Sequence, residues 1–282
     1  LFVDMNSYFA SVEQELNPKL LGRPVAVAPM LTDRTCCIAA SYEAKKWGIK
    51  TGTPVSEARL RCPGLIVVPA RPRAYVEMHH RIVEAVESCF HIDSILSIDE
   101  MVGRLSVSEQ DPAKARLLGE KIKTTIKTRV GSTLNCSVGI APNRLLAKIA
   151  ADMQKPDGLT VIEAKDIPEI FYQLQLIDFP GIGRQMELRF LRLGVLTVQQ
   201  MYQLTMKELT QIWGGVLGRR WWYYIRGFDL PVVATHRSTV GHSHVLAPEF
   251  RTDAGAFAVL LRLVHKAARR LRSYGYWTQR FS

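Results

Sequence analysis

The sequence predicts an α+β fold: an open sheet with helices on one face, interrupted early by an insert and followed by a basic helical segment. Three observations lead there. With residues 18–71 set aside, strand and helix patterns follow the order β-α-α-β-β-α-β-α-β, which is the split βαβ arrangement. Beyond Asp166 the pattern turns helical, with no convincing strand before Ser238. The net charge of +11 is uneven, since residues 184–282 hold 15 Lys plus Arg against 5 Asp plus Glu, and residues 1–183 hold 22 against 21.

Each element has a local reason. LFVDM (1–5) reads as a buried strand and SYFASVEQEL (7–16) as a helix with Ser7 near its N-cap. In the insert, short strands around Val25–Ala28 and Cys36–Ala40 precede YEAKKWG, a short helix stopped at Gly48. Thr53-Pro54 opens another helix, because proline suits the first helical turn. Residues 72–90 form a long amphipathic helix pattern, and 94–107 read as two strands with acids between them. Asp111-Pro112 opens a helix running to about Val130. TLNCSVGI (133–140) alternates as a strand, Asn143–Met153 is helical, and LTVIE (159–163) closes the sheet. Further on, a strand is expected at 240–247, a helix at 254–273 and the beginning of a second strand at Tyr276. The start at Leu1, without a Met, and this half-sized last segment lead us to expect a fragment of a longer chain.

A neutral front and a basic back suggest that the back meets a polyanion, nucleic acid first and an anionic membrane surface second. No apolar run approaches the ~20 residues that span a bilayer, and no signal-peptide pattern opens the chain. The cysteines (Cys36, Cys37, Cys62, Cys89, Cys136) are odd in number and lack C-x-x-C spacing. A reduced, intracellular protein without a zinc site is the simplest reading. His79, His80, His242 and His244 read as non-metal histidines.

The chemistry begins at SILSIDEMVG (94–103), where Asp99 and Glu100 lie side by side in an apolar run. Alone, the pair reads as a hairpin turn. In a split βαβ sheet, however, the first strand is central and borders the hairpin, which puts Asp4 beside Asp99 and Glu100. Three carboxylates converging in a half-buried site repel one another unless cations join them. Oxygen ligands suit Mg²⁺, and two such ions about 3.5–4 Å apart serve phosphoryl transfer.

FVDMNSYFASVE, ASYEAKKWG, SIDE, AKIAADMQKPDG and DFPGIG, in this order, resemble the motifs of Y-family translesion DNA polymerases, with the bacterial polymerase IV-like branch fitting best. The resemblance covers nearly the whole chain. It implies a ferredoxin-like palm (1–17 and 72–165) with inserted fingers (18–71), and a helical thumb with a helix-hairpin-helix (166–231). A linker (232–239) and a partial C-terminal α/β little-finger domain (240–282) complete it. It implies a template-directed, error-prone DNA polymerase, a nucleotidyltransferase acting in translesion synthesis and DNA repair.

By the same resemblance, Asp4, Asp99 and Glu100 are catalytic and, with the Met5 carbonyl, hold two Mg²⁺ ions, for which Mn²⁺ substitutes. Phe9 matches the aromatic steric gate under the incoming sugar, and Tyr8 beside it is expected to bind the nucleotide with it; read from the sequence alone, Phe9 is core packing. Tyr42, Lys45 and Lys155 match the residues that grip the triphosphate. Gly181, Gly183 and Arg184, in PGIG and the residue after it, match the DNA-binding hairpin, among Arg189, Arg192, Arg219 and Arg220. Trp213, Trp221 and Trp222 read as core of the helical domain.

Primer-template DNA, deoxynucleoside triphosphates and a sliding clamp, reached through a C-terminal segment outside these residues, are the implied partners. A monomer in the cytoplasm at the nucleoid, without a membrane, is expected. Cys36 and Ile38 read either as the roof over the nascent base pair or as core of the insert. Two departures from the family stand out: Lys45, where Arg is commoner, and Met101-Val102-Gly103-Arg104, where Ala-Tyr-Leu-Asp is common. The alternatives are a catalytically inactive polymerase-like DNA-binding accessory protein, a nucleotidyl cyclase, which would lack PGIG and the basic third, and a plain DNA-binding module, which leaves the acids and Lys155 unexplained.

Overall fold

The first strand, β1 (Phe2–Met5), is buried at every residue because strands flank it on both sides. The computed structural model describes residues 1–231 and 239–280; the linker expected at 232–239 lies almost wholly outside them. Contacts divide the chain into two units, Leu1–Leu230 and Pro231–Ser282.

In the first unit β1 leads into α1 (Tyr8–Leu16). Ser7 stands at its N-cap in the left-handed region (φ 49°) and its hydroxyl makes no capping bond, so the expected cap is present in position and absent in chemistry. The insert follows as β2 (Val25–Ala28), β3 (Ala39–Ala40), α2 (Tyr42–Lys45), α3 (Val55–Arg61) and β4 (Ile66–Pro69). Its three-stranded sheet has the order β3-β2-β4, with β4 parallel to β2. The strand expected at 36–40 is cut to two residues, Cys36 joining instead in an isolated bridge to Pro54.

The chain then returns through α4 (Pro72–Glu87), β5 (Ser94–Ile95), β6 (Glu100–Val102), α5 (Pro112–Arg129), β7 (Cys136–Ile140), α6 (Arg144–Met153) and β8 (Leu159–Val161). The main sheet has the order β5-β6-β1-β7-β8, so β1 is central, as the split βαβ reading requires. Side-chain caps start the helices where the sequence puts them: Asp111 accepts from Lys114 N, and Asn143 from Leu146 N.

Two expectations need correction. The two strands expected at 94–107 do not hold both acids between them: β5 is two exposed residues, the chain turns through 96–99, with Leu96 N donating to Glu100 O at 2.9 Å, and Glu100 already belongs to β6. Nor do helices cover one face alone. Alternation along β1 sends Val3 and Met5 into the main core with Met78 and Ile82 of α4 and Ile122 and Ile126 of α5. Phe2, on the other face, packs with Val102 and with Ala147 and Ala151 of α6. The α6 helix approaches that closely because β7 offers Gly139 there: a Cβ on Gly139 would lie 2.0 Å from Ala147 O.

A helical segment completes the unit: α7 (Arg184–Arg192), α8 (Val198–Gln203), α9 (Met206–Trp213) and α10 (Val216–Tyr224). Capping boxes Thr197/Gln200 and Thr205/Glu208 start α8 and α9. Phe171, Phe179, Phe190, Leu209, Trp221 and Ile225 form its core.

In the second unit the described residues hold a 3-10 turn at Pro248–Phe250 and one helix, α11 (Asp253–Ser273), capped by Thr252. The strands expected at 240–247 and from Tyr276 do not form among the described residues. A strand needs a ladder partner, and these residues supply none to each other.

Candidate active site

Asp4 and Glu100 are brought together by register. They are Cα partners across β1 and β6, and Ser137 on β7 is the partner of Asp4 on the other side. All three therefore face α6. Asp99 immediately precedes β6; its carbonyl accepts from Met5 N at 2.9 Å, and its Oδ1 accepts from Ser97 Oγ at 2.5 Å. Asp4 is 4% exposed, while the Glu100 side chain is 27% exposed, so the site opens toward Glu100.

Two lysines balance these acids. Lys155 Nζ lies 2.8 Å from Asp4 Oδ1 and 2.7 Å from Asp152 Oδ1. Lys148 Nζ pairs with Asp4 Oδ2, lies 2.7 Å from Glu100 Oε1 and 3.5 Å from Asp152 Oδ1. Burial works against the Lys148 charge, but Asp4 first, then Glu100 and Asp152, more than offset it and hold the ammonium above the ordinary lysine range. Lys155 shifts upward for the same reasons, burial opposed by Asp4 and Asp152. The turn that carries Lys155 is tied to the sheet: Asp157 N donates to Asn6 Oδ1 at 2.7 Å, and Gly158 N to Ser137 Oγ at 3.2 Å.

The insert faces the same acids. Ser41 caps α2 by accepting from Ala44 N, and Lys45 Nζ lies 4.3 Å from the centroid of the Tyr42 ring. The Lys45 ammonium is pushed down by burial and by the Lys155 charge, against the pull of Asp4. Tyr42 is pushed up by burial, with Lys155 opposing and Asp4 adding to the shift. The charges of Lys155 and Asp4 thus act on both Tyr42 and Lys45.

Phe9, on α1, is half-buried and stacks on Tyr75 with centroids 4.5 Å apart at 20°. Tyr8 is buried and donates its hydroxyl to Tyr75 O at 2.6 Å; burial, then the Asp99 charge, pushes that hydroxyl above the ordinary tyrosine range. Tyr75 in turn donates to Glu13 Oε1 at 2.8 Å, and Arg71 Nη2 holds Glu13 Oε2 at 2.6 Å. Cys36 is exposed, and Ile38 packs partly against the main core; the two do not share one environment.

The hairpin at 180–183 lies well away along the chain. Gly181 adopts φ +99°, and a Cβ there would meet Trp213 and Trp221, each at 3.3 Å. Those two rings stack at 4.3 Å, and Trp222 donates Nε1 to Leu204 O, so the tryptophans serve the core as expected. Gly183 is the N-cap of α7, with open space around it. The first amides of α7 lack intrahelical partners and stand beside exposed Arg184.

The sequence reading missed Lys148 and Asp152. Both lie in the quoted AKIAADMQKPDG, and the Lys148-Asp152-Lys155 spacing of four and three marks one helical face. What hid them was the assumption that no helix covers the Asp4 face. As for a metal, the donors are hard oxygens and the ammonium groups already stand as cations among them, so the residues fit a divalent ion in kind. Among the described residues no three acidic, His or Cys side chains lie together in ligating geometry; Lys148 bridges Asp4 and Glu100, and Ser97 donates to Asp99.

A five-stranded sheet with facing acids on the neighbouring strands β1 and β6 is the architecture, and comparison places it. Residues 3–152 match the impB/mucB/samB family, and residues 177–229 match a domain described as DNA polymerase-iota, thumb domain. A DNA polymerase IV of Moorella thermoacetica is 38% identical, over 98% of this chain and 70% of the relative. One of Shewanella loihica is 33% identical, over 96% and 75%. Among solved structures, a Y-family DNA polymerase chimera superposes with TM-score 0.74 at 31% identity, covering 85% of this chain and 71% of that one. DinB from Sulfolobus solfataricus superposes with TM-score 0.70, also at 31% identity, covering 82% and 68%. The chain belongs to the impB/mucB/samB family, the Y-family of DNA polymerases, on its polymerase IV-like branch.

Proposed function

We propose that this chain is a template-directed DNA polymerase of the error-prone translesion type, adding deoxynucleotides to a primer 3′ end. The observation that carries the reading is Asp4 facing Glu100 across β1 and β6, with Asp99 tied to Met5 and Lys155 and Lys148 held among them. Asp4, Asp99, Glu100 and the Met5 carbonyl would hold two Mg²⁺ ions, replaceable by Mn²⁺. When bound, such ions supply charge that activates the primer oxygen and stabilises the leaving pyrophosphate.

The chain's own residues do the rest. Tyr42, Lys45 and Lys155 converge where a triphosphate would neutralise them, so Lys155 exchanges Asp4 for phosphate oxygens when a nucleotide arrives. Phe9, backed by Tyr75, presents a flat ring under the sugar and leaves no room for a 2′-hydroxyl. Gly181 and Gly183 let backbone amides approach a duplex phosphate, and Arg184 adds charge without reading sequence. The substrates are primer-template DNA and deoxynucleoside triphosphates. A sliding clamp is a proposed partner. The protein works as a monomer in the cytoplasm at the nucleoid; among the described residues no helix is long and apolar enough to cross a membrane.

Primer extension with residues 1–282 tests this. Template-dependent addition in Mg²⁺ that stops on chelation is expected. DNA binding without extension in any divalent ion would favour the inactive accessory protein instead.

A further inference from the structure

Lys148 grips neither nucleotide nor template in this scheme, yet it lies at the centre of the carboxylates. Its side chain is 19% exposed and pairs with Asp4, Glu100 and Asp152. The other Asp4 oxygen already takes Lys155 at 2.8 Å. Both oxygens of Asp4, the most buried acid of this cluster, therefore face an ammonium. That arrangement relieves the repulsion between Asp4 and Glu100. It also fills the space that a cation bound by the same oxygens requires. An ammonium and a divalent ion a few ångströms apart repel strongly in a half-buried site, so the two cannot share Asp4 and Glu100. Asp152 lies one turn along the same helix from Lys148; its Oδ1 is 3.5 Å from the Lys148 Nζ and 2.7 Å from the Lys155 Nζ, so it is a carboxylate already beside that ammonium and outside the Asp4–Glu100 pair.

We propose that Lys148 is a positioning residue that holds Asp4 and Glu100 together before a divalent cation binds and moves onto Asp152 when that cation takes their oxygens. The inference rests on reading Asp4 and Glu100 as metal ligands, and it makes cation affinity a function of Lys148 and Asp152. Lys148 is then an internal competitor and Asp152 the acceptor that lowers the cost of displacing it.

The test is Mn²⁺ binding, followed by the electron paramagnetic resonance of the free ion, with residues 1–282 and neither DNA nor nucleotide. Lys148→Met is expected to bind Mn²⁺ about tenfold more tightly than the unsubstituted chain, and Lys148→Gln likewise if the first variant folds poorly. Lys148→Arg should behave as the unsubstituted chain, and exposed Lys207→Met should change nothing. Asp152→Asn should weaken binding several-fold, and most of that loss should vanish in the Lys148→Met background. Without metal, Lys148→Met should melt lower, and Mn²⁺ should raise its melting temperature more than that of the unsubstituted chain. Unchanged or weaker binding in folded Lys148→Met and Lys148→Gln overturns the proposal, as does an Asp152→Asn loss that is equal with and without Lys148. If Asp4→Asn and Glu100→Gln bind Mn²⁺ as well as the unsubstituted chain, the ligand reading itself fails and takes the proposal with it.

Discussion

Gly139→Ala adds one methyl where the central sheet meets the helix that carries Lys148 and Asp152. The new Cβ would lie 2.0 Å from Ala147 O and 2.3 Å from Ala151 N. Both are backbone atoms of α6, so no side chain can turn aside. To reach even a tight contact near 3.0 Å the helix must retreat by roughly 1 Å, which as overpacking costs about 1–3 kcal/mol. In a unit of this size that lowers the melting temperature by about 2–10 °C. The same retreat draws Lys148 and Lys155 away from Asp4, and a misplacement of about 1 Å near reacting groups can cost roughly 10²-fold in rate. Thermal melting and single-nucleotide primer extension measure the two effects. Gly64→Ala, where nothing lies within 4 Å of an added Cβ, is the control and should leave both unchanged. A Gly139→Ala protein that melts and extends like the unsubstituted chain would refute the argument that this contact sets the position of α6.

Other outcomes follow from the same geometry. Phe9→Ala opens the face that Tyr75 backs and should raise ribonucleotide incorporation by about 10–200-fold while deoxynucleotide incorporation falls much less; unchanged sugar discrimination would mean that Phe9 serves packing only. Binding to primer-template should be indifferent to sequence and should weaken by about 10³-fold between roughly 50 and 200 mM salt, as neutralisation of several phosphates requires; a flat salt dependence by fluorescence anisotropy would contradict it. Toward a thiol reagent at pH 8, exposed Cys36 should react promptly, whereas Cys37, Cys62 and Cys136 are buried and burial pushes the Cys136 thiol up to about 12; fast labelling of Cys136 in the native protein would show that β7 opens readily.

Much of this site could be read from residue order because its signals are local. An acid inside an apolar strand, two acids at a turn and Asn or Asp before a helix each declare themselves within a few residues. β1 is central and Asp111 and Asn143 cap their helices because those patterns have one low-cost solution. The remainder depended on partners distant in sequence. β4 is a short apolar run whose strand character comes from parallel pairing with β2. Ser7 sits at a helix start, but its left-handed backbone leaves the hydroxyl without its cap. Lys148 looks like an ordinary helix lysine until Gly139 lets α6 onto the Asp4 face. The strand expected at 240–247 shows the converse: strand-like residues stay irregular when none of the described residues pairs with them.

Primer extension by chains in which Asp99 or Glu100 is replaced by Ala tests the central claim most directly. In saturating Mg²⁺ each variant should lose nucleotide addition almost entirely, while its affinity for primer-template stays within a few-fold of the unsubstituted chain and its melting temperature does not fall. Extension at the unsubstituted rate by either variant, with folding and DNA binding intact, would show that the acids at the end of SIDE do not hold the reacting cations.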